Sequence, residues 1–265
     1  MSTIELHDKT IIITGISRGL GESIAQAILV AGGDVYGIDI LPQPIEEDYQ
    51  KRFTIPEGTK SQINFFQADI CDEPLIESAL AQAGELAKRR GKPVLGLVNC
   101  AGVQHTDNAE DFPVHQFQRI ININLIGSFI VAKHTARLMI AEEWRGSIVL
   151  IGSIAGYVAN RGIYGSAYCA SKAAVRMMAK SFAYEWGKYG IRVNSLSPGP
   201  IMTNMVSELL DKNTNLKSLF MSGAVLGRLG VVQDVQGAAV FLLSDTSGYI
   251  TGADVKLDGG ATTSV

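Results

Sequence analysis

The sequence predicts an α/β fold, a doubly wound parallel sheet of about seven strands with helices on both faces, and three observations carry that expectation. Apolar runs of five or six residues alternate with longer segments of helical period along the chain. The intervening stretches are long enough for right-handed crossovers between parallel strands. The first apolar run also breaks directly into a glycine-rich turn that opens a helix. With 265 residues, 46% hydrophobic and 18% charged, the chain can bury a large core without staples. No composition shift or linker divides it, so a single domain over 1–265 is expected.

Ile11 to Thr14 is continuous and β-branched, as a strand buried on both faces should be. Gly19 to Ala31 follows with small and apolar residues at helical spacing. Further strands are expected at Val35 to Asp39, Ile63 to Ala68, Val94 to Asn99, Ser147 to Ile151, Ile191 to Ser195 and Asp254 to Leu257. Helical segments are expected near 73–90, 115–143, 166–188 and 234–243. From Pro198 to Arg228 the sequence turns irregular, mixing Pro, Gly, Ser, Asn and Met; a segment of that length is expected to form a lid at about 198–228.

Charge and cysteine content exclude several function classes. The 23 basic and 26 acidic residues give a net charge of -3 with no basic run, so neither nucleic acid nor an anionic membrane is an expected partner. Cys71, Cys100 and Cys169 are an odd number without C-x-x-C spacing, which argues against a disulfide framework and a zinc site and for a reducing, cytoplasmic compartment. The four histidines lack metal-ligand spacing, so no metal is expected. No charge-free run exceeds fifteen residues, and Glu5 and Asp8 stand where a signal peptide would be apolar.

The turn after the first strand reads Thr14-Gly15-Ile16-Ser17-Arg18-Gly19-Leu20-Gly21. Glycines at 15, 19 and 21 let the backbone turn sharply and approach a ligand, while the free N–H groups of the new helix offer donors and partial positive charge to a pyrophosphate. Its place between strand and helix makes this a dinucleotide-binding turn of Rossmann type rather than surface punctuation. Residues 15–19 also match the G-x-S-x-G nucleophile elbow of serine hydrolases. That reading needs a late histidine and an earlier oxyanion loop; the later histidines are His105, His115 and His134, and sixteen residues precede Ser17. Asp39 ends the second strand, 24 residues beyond Gly15, where an acidic side chain accepts hydrogen bonds from the adenosine ribose, although a strand-end turn aspartate reads the same way. A 2′-phosphate against Asp39 would cost about 4 kcal/mol per charge pair at about 4 Å and an effective dielectric near 20, favouring NAD. Arg18 pulls toward NADP, because its guanidinium could pair with that phosphate.

At Tyr168-Cys169-Ala170-Ser171-Lys172 the chain resembles the short-chain dehydrogenase/reductase family and its Y-x-x-x-K motif. Order and spacing carry the likeness: residues 14–21, Asn99-Cys100-Ala101-Gly102, Asn124-Leu125-Ile126-Gly127, Ser153, Tyr168 with Lys172, Pro198-Gly199, Gly252 and Asp258-Gly259-Gly260. Two departures are small. Cys100 stands where many members have asparagine, and fifteen residues separate Ser153 from Tyr168, pointing to a longer loop containing Tyr157, Asn160 and Arg161.

Hydride transfer between a nicotinamide and a carbonyl leaves a developing alkoxide that must be protonated. A phenol, with a reference pKa of about 10, serves only when tuned, and Lys172 lies one helical turn from Tyr168 on the same face. Ser153, at the carboxyl end of a strand, offers a hydroxyl to the carbonyl oxygen. The resemblance implies that Lys172 also bonds the nicotinamide ribose and that Asn124 holds a relay water. It further implies that Asp69 and Ile70 flank the adenine, that Asn99, Ala101 and Gly102 pass beneath the cofactor, and that Ile201 and Thr203 contact the carboxamide. Asp69 reads equally as a cap for the next helix, and Met202, Met205 and Met221 as pocket lining or as filler under the lid. The activity so implied interconverts a secondary alcohol and a ketone, the substrate being a polyol, a sugar or another hydroxylated or alicyclic carbonyl. A homotetramer or homodimer is implied as well. A cofactor sensor without turnover would have no need of Ser153, Tyr168 and Lys172 together.

Overall fold

The structure, a computed structural model, describes residues 4–42, 52–159, 162–212 and 215–263. Seven parallel strands form one sheet. In chain order the elements are β1 (Thr10–Thr14), α1 (Gly19–Val30), β2 (Asp34–Asp39), β3 (Ile63–Gln67), α2 (Glu73–Arg90), β4 (Val94–Asn99), α3 (Val114–Ile121), α4 (Ser128–Ala141), β5 (Ser147–Ile151), α5 (Ser166–Trp186) and β6 (Arg192–Pro198). After β6 come β7 (Ile201–Met202), α6 (Asn204–Lys212), α7 (Leu216–Gly223) and β8 (Gly230–Val231), and the chain continues through α8 (Gln233–Leu243) to β9 (Asp254–Leu257). The sheet order is β3-β2-β1-β4-β5-β6-β9, with β7 and β8 paired separately.

Strands β1, β2 and β5 are buried along their whole length, β1 through an unbroken β-branched run. Alternate side chains divide between two core layers. Ile12 packs with Ile76, Val131 and Val175 beneath α2, α4 and α5, whereas Ile11 and Ile13 pack with Ile24, Ile28, Val235 and Leu243 beneath α1 and α8. Each such buried side chain contributes roughly 1.5–3 kcal/mol. The chain runs outward from β1 to β3 and returns to β4 on the other side, so β1 and β4 part at their carboxyl ends. That is the crevice where ligands bind in such sheets.

Three local expectations differ from what is found. The helix expected over 115–143 is interrupted by a π-helical turn at Asn122–Gly127. Asn124 is drawn toward residue 103 there, and a Cβ at Gly127 would lie 2.7 Å from Ile70 Cδ1; periodicity does not register one extra residue per turn. β6 runs on to Pro198, its last residue, which pairs with Leu257 of β9 beyond the point where the pairing with β5 ends at Leu196, so proline breaks no ladder bond there. The lid segment is partly helical (α6, α7), and its Thr203 hydroxyl accepts from Val206 N–H at 3.4 Å at the start of α6.

Candidate active site

The glycine turn sits in that crevice with no room for side chains. Gly15 has φ +67°, its amide donates to the Ile38 carbonyl (2.9 Å), and a Cβ there would lie 2.9 Å from the Ala101 backbone. A Cβ on Gly21 would come within 2.2 Å of the Gly15 carbonyl oxygen. Gly19, at φ +64°, faces the Thr203 side chain of the lid at 3.7 Å. Arg18 begins α1 with extended backbone and no side-chain cap, which leaves the first N–H groups of the helix open, and Leu20 follows in its first turn. The Ser17 hydroxyl is buried and without a hydrogen-bond partner among the described residues. The Asp39 carboxylate accepts from Ser17 N–H (2.9 Å) and Leu41 N–H (3.0 Å), which fixes it against the turn. Open amides, a partnerless buried hydroxyl and a carboxylate one strand away fit the pyrophosphate and ribose of a dinucleotide.

A continuous hydrogen-bond chain runs from this turn to the Y-x-x-x-K helix. The Thr14 hydroxyl donates to Asn99 Oδ1 (2.7 Å) and accepts from Ala101 N–H (3.2 Å). Asn99 Nδ2 donates to Ser128 Oγ (2.6 Å), whose hydroxyl donates to the Asn124 carbonyl (2.6 Å). The Asn124 amide group closes on residue 103, accepting from Val103 N–H (2.8 Å) and donating to the Val103 carbonyl (2.9 Å) and to Ser171 Oγ (3.1 Å). Ser171 in turn donates to the Tyr168 carbonyl (2.8 Å). The side chain of Asn124 is therefore anchored to Val103 and Ser171, with one lone pair of Oδ1 not used by these contacts.

Lys172 is 5% exposed, with Nζ donating to the Ile151 carbonyl at 2.8 Å and lying 5.7 Å from the centre of the Tyr168 ring. A Cβ on Gly102 would be 3.3 Å from Asn124 Oδ1 and 3.6 Å from Lys172 Nζ, so the β4 exit closes over both. Burial pulls the Lys172 ammonium down to about 8 and pushes the Tyr168 phenol up to about 12, with a hydrogen bond from Ser153 opposing the latter. The Ser153 hydrogen bond favours the phenolate, and burial disfavours the Lys172 cation. Ser153 Oγ also accepts from Ala155 N–H (3.1 Å), capping the short turn Ile154–Gly156 and keeping its own proton for donation.

The lysine shift makes a stability prediction. The unfolded chain holds the Lys172 proton to about pH 10.5 and the folded chain only to about 8, so folding releases a proton between these values and stability rises with pH across that window. The penalty is complete below pH 8. Cofactor-free Lys172→Met is therefore expected to be more stable than the wild type at pH 7, by about 2–3 kcal/mol in urea unfolding, with the gap closing toward pH 10.5. A gap independent of pH would contradict it.

The remaining expected residues divide. Asp69 uses its carboxylate on Cys71 N–H (2.9 Å), and Asp72, not Asp69, caps α2 through Leu75 N–H (3.0 Å). Asp69 also lines a cavity of about 620 Å³ with Arg119, Asn122 and Ile126. The Ile70 side chain is buried in the core against Gly127. Pro198 and Gly199 end β6 where the Gly199 amide donates to Leu257 (3.0 Å), and Ile201 is buried beside Gly230. Residues 104–108 meet 162–165 through Asp107 N–H to the Tyr164 carbonyl (2.9 Å). A Cβ on Gly162 would lie 3.0 Å from Leu219 in α7. Met202 and Met221 are both exposed, so they do not fill the underside of the lid. Asn160 and Arg161 lie outside the described residues. Sequence reasoning missed Ser128 and Ser171; Ser128 stands four residues after Asn124, the spacing of one helical turn.

Fold and site together define a dinucleotide-dependent oxidoreductase with a tyrosine–lysine–serine centre. The family model described as enoyl-(acyl carrier protein) reductase matches residues 15–262. A short-chain dehydrogenase/reductase of Aspergillus versicolor, notP', is 39% identical over 259 residues, covering 96% of this chain and 87% of that protein. The NADH-dependent L-xylulose reductase of Ambrosiozyma monospora is 34% identical over 258 residues, covering 95% and 94%. The crystal structure of a short-chain type dehydrogenase/reductase from Mycobacterium marinum superposes with a TM-score of 0.87 at 31% identity, covering 98% of this chain and 97% of that one. The chain belongs to the short-chain dehydrogenase/reductase family. It is an NAD(P)-dependent oxidoreductase acting between an alcohol and a ketone.

Proposed function

We propose that this enzyme interconverts a ketose and its polyol, or a closely similar hydroxylated ketone and alcohol, with NAD(H) preferred. The observation that carries the substrate class is the polar rim: residues 104–108, which include Gln104, His105, Asp107 and Asn108, meet 162–165 beside Tyr168 and offer hydrogen bonds that a hydroxylated substrate would satisfy. The similarity to an L-xylulose reductase points the same way. The bound nicotinamide supplies or accepts the hydride. Everything else falls to this chain.

Gly15, Ser17, Arg18, Gly19, Leu20 and Gly21 hold the pyrophosphate at the N-terminus of α1, and Asp39 receives the adenosine ribose. Asp69 borders the adenine, while Asn99, Ala101 and Gly102 support the cofactor from below. Pro198, Gly199, Ile201 and Thr203 complete the nicotinamide end. Tyr168 delivers or takes the proton at the substrate oxygen, and the Ser153 hydroxyl donates to that oxygen and polarises it. Lys172, with Nζ 5.7 Å from the centre of the Tyr168 ring, places positive charge near the phenol and favours its ionised form. Asn124 keeps the exit of β4 and the π-helical turn registered on α5.

The test is a panel of ketoses, simple ketones and an enoyl thioester, followed by nicotinamide absorbance with each cofactor. Reduction of ketoses ahead of the others is expected; reduction of the enoyl thioester alone would overturn the substrate class. Wild-type kcat/KM is expected to favour NADH over NADPH, and Asp39→Ala to lower that ratio by at least about tenfold, the value of one lost charge contact of about 1.4 kcal/mol. A wild-type preference for NADPH would assign the decision to Arg18. Three free thiols, Cys71, Cys100 and Cys169, support a cytoplasmic setting. Ile126 in the π-helical turn and Phe129 at the start of α4, with Met177 and Tyr184 on α5, expose apolar surface that supports a homotetramer or homodimer, to be read by light scattering.

A further inference from the structure

Behind Ser153, on the far side of the loop from the substrate crevice, lies a group of polar residues that the reaction itself does not use. Asp254, in β9, has a side chain only 4% exposed and occupies a strand position where a parallel sheet ordinarily takes a β-branched apolar residue. A lone buried carboxylate is costly, so its partners matter. Its Oδ1 accepts from the hydroxyls of Ser195 and Ser197 (2.8 Å for the latter), and its Oδ2 accepts from the Tyr157 hydroxyl and pairs with Arg176 Nε at 3.4 Å. Arg176 stacks its guanidinium 3.1 Å from the centre of the Tyr157 ring and donates through Nη1 to the Gly156 carbonyl.

These contacts grip both flanks of Ser153. On its N-terminal side, a Cβ at Gly152 would lie 2.7 Å from Ser197 Oγ and 3.2 Å from Arg176 Cγ. On its C-terminal side, a Cβ at Gly156 would lie 2.8 Å from both Ala173 N and the Lys172 carbonyl carbon, so the loop is pressed onto the turn of α5 that carries the lysine. Arg176 stands on that same helix, four residues beyond Lys172. The distance from Ser153 to Tyr168 is thus set by a bracket running from β9 and β6 through Asp254, Tyr157 and Arg176 to α5.

We propose that Asp254, Tyr157 and Arg176 are positioning residues that hold the Ser153 hydroxyl in its reacting geometry against Tyr168. The inference rests on the role given to Ser153 above. Effective hydrogen-bond catalysis demands placement to a fraction of an ångström, and a loop secured on one side alone does not provide it. The bracket acts through Ser153, so its effect should vanish when Ser153 has no hydroxyl.

A double-mutant cycle reads this directly. Asp254→Asn, Ser153→Ala and the double variant are assayed by NADH oxidation with L-xylulose, or with whichever ketose of the panel is reduced fastest, well below their melting temperatures. Tyr157→Phe, which removes one hydroxyl at the surface, serves as a second and milder probe. Asp254→Asn is expected to lower kcat about tenfold with the KM for NADH within about twofold, and Tyr157→Phe to lower it about threefold. In the Ser153→Ala background both effects are expected to shrink to less than about twofold. Equal effects in the two backgrounds, or a lowered melting temperature with unchanged kcat, would overturn the bracket alone. If Ser153→Ala itself turned over at the wild-type rate, the role of Ser153 would fall, and the inference with it.

Discussion

Tyr168→Phe is expected to lower turnover by about 10²–10⁴ while leaving NADH affinity within a few-fold of wild type, the loss general acid–base groups typically show. The substitution removes one oxygen and keeps the ring, so packing around α5 is preserved. No other described side chain stands beside Ser153 with a proton to give: Lys172 Nζ is turned toward the Ile151 carbonyl, and Ser153 is itself a donor to the same oxygen. Because burial holds the phenol up to about 12 before cofactor binds, the neutral acid needed for ketone reduction is fully present at neutral pH. Alcohol oxidation needs the phenolate and is expected to rise with pH through the range in which bound cofactor and Lys172 bring the phenol down. Stopped-flow measurement of NADH oxidation, with fluorescence titration of NADH binding, checks the prediction. Turnover that survives undiminished would remove Tyr168 from the chemistry.

The second large effect concerns the cofactor. Gly21→Ala would set a methyl group 2.2 Å from the Gly15 carbonyl oxygen and 2.8 Å from its carbon, and both are backbone atoms fixed by the Ile38 and Ala101 contacts. The helix must therefore withdraw from the turn, and its open amides withdraw from the pyrophosphate. Overpacking of this kind costs about 1–3 kcal/mol, so the Kd for NADH is expected to rise by about 10- to 100-fold. Gly19→Ala makes the control. Its added Cβ would meet only the Thr203 side chain at 3.7 Å, and the cost there is that of φ +64° for a residue with a Cβ, about 1 kcal/mol. A weaker effect at position 21 than at 19 would show that the crowding argument fails.

Much of this architecture was legible in the residues. The β-branched runs gave the strands because a parallel strand buried on both faces has no polar face to interrupt it, and Ile11 to Thr14, Val35 to Asp39 and Ser147 to Ile151 lie within one residue of the observed bounds. The glycines at 15 and 19 do take positive φ. Three features were hidden for physical reasons. The π-helical turn depends on Asn124 meeting the backbone of residue 103, a contact across 21 residues that periodicity does not carry. The direction of the Tyr168 and Lys172 shifts depends on how much water each group loses, which spacing along a helix does not reveal. The Asp254 cluster joins residues from 157 to 254, partners that the local sequence of a strand does not record.

The hydrogen-bond chain from Thr14 through Asn99, Ser128, Asn124 and Ser171 to Tyr168 ties the nucleotide turn and the proton donor into one unit spanning two strands and two helices. Alteration anywhere along it would disturb cofactor grip and chemistry at once, so natural variants with new tastes should seldom differ there. Helices α6 and α7 stand outside that chain. Adaptation to another alcohol is thus free to proceed by rewriting the cover, while the machinery underneath is inherited whole.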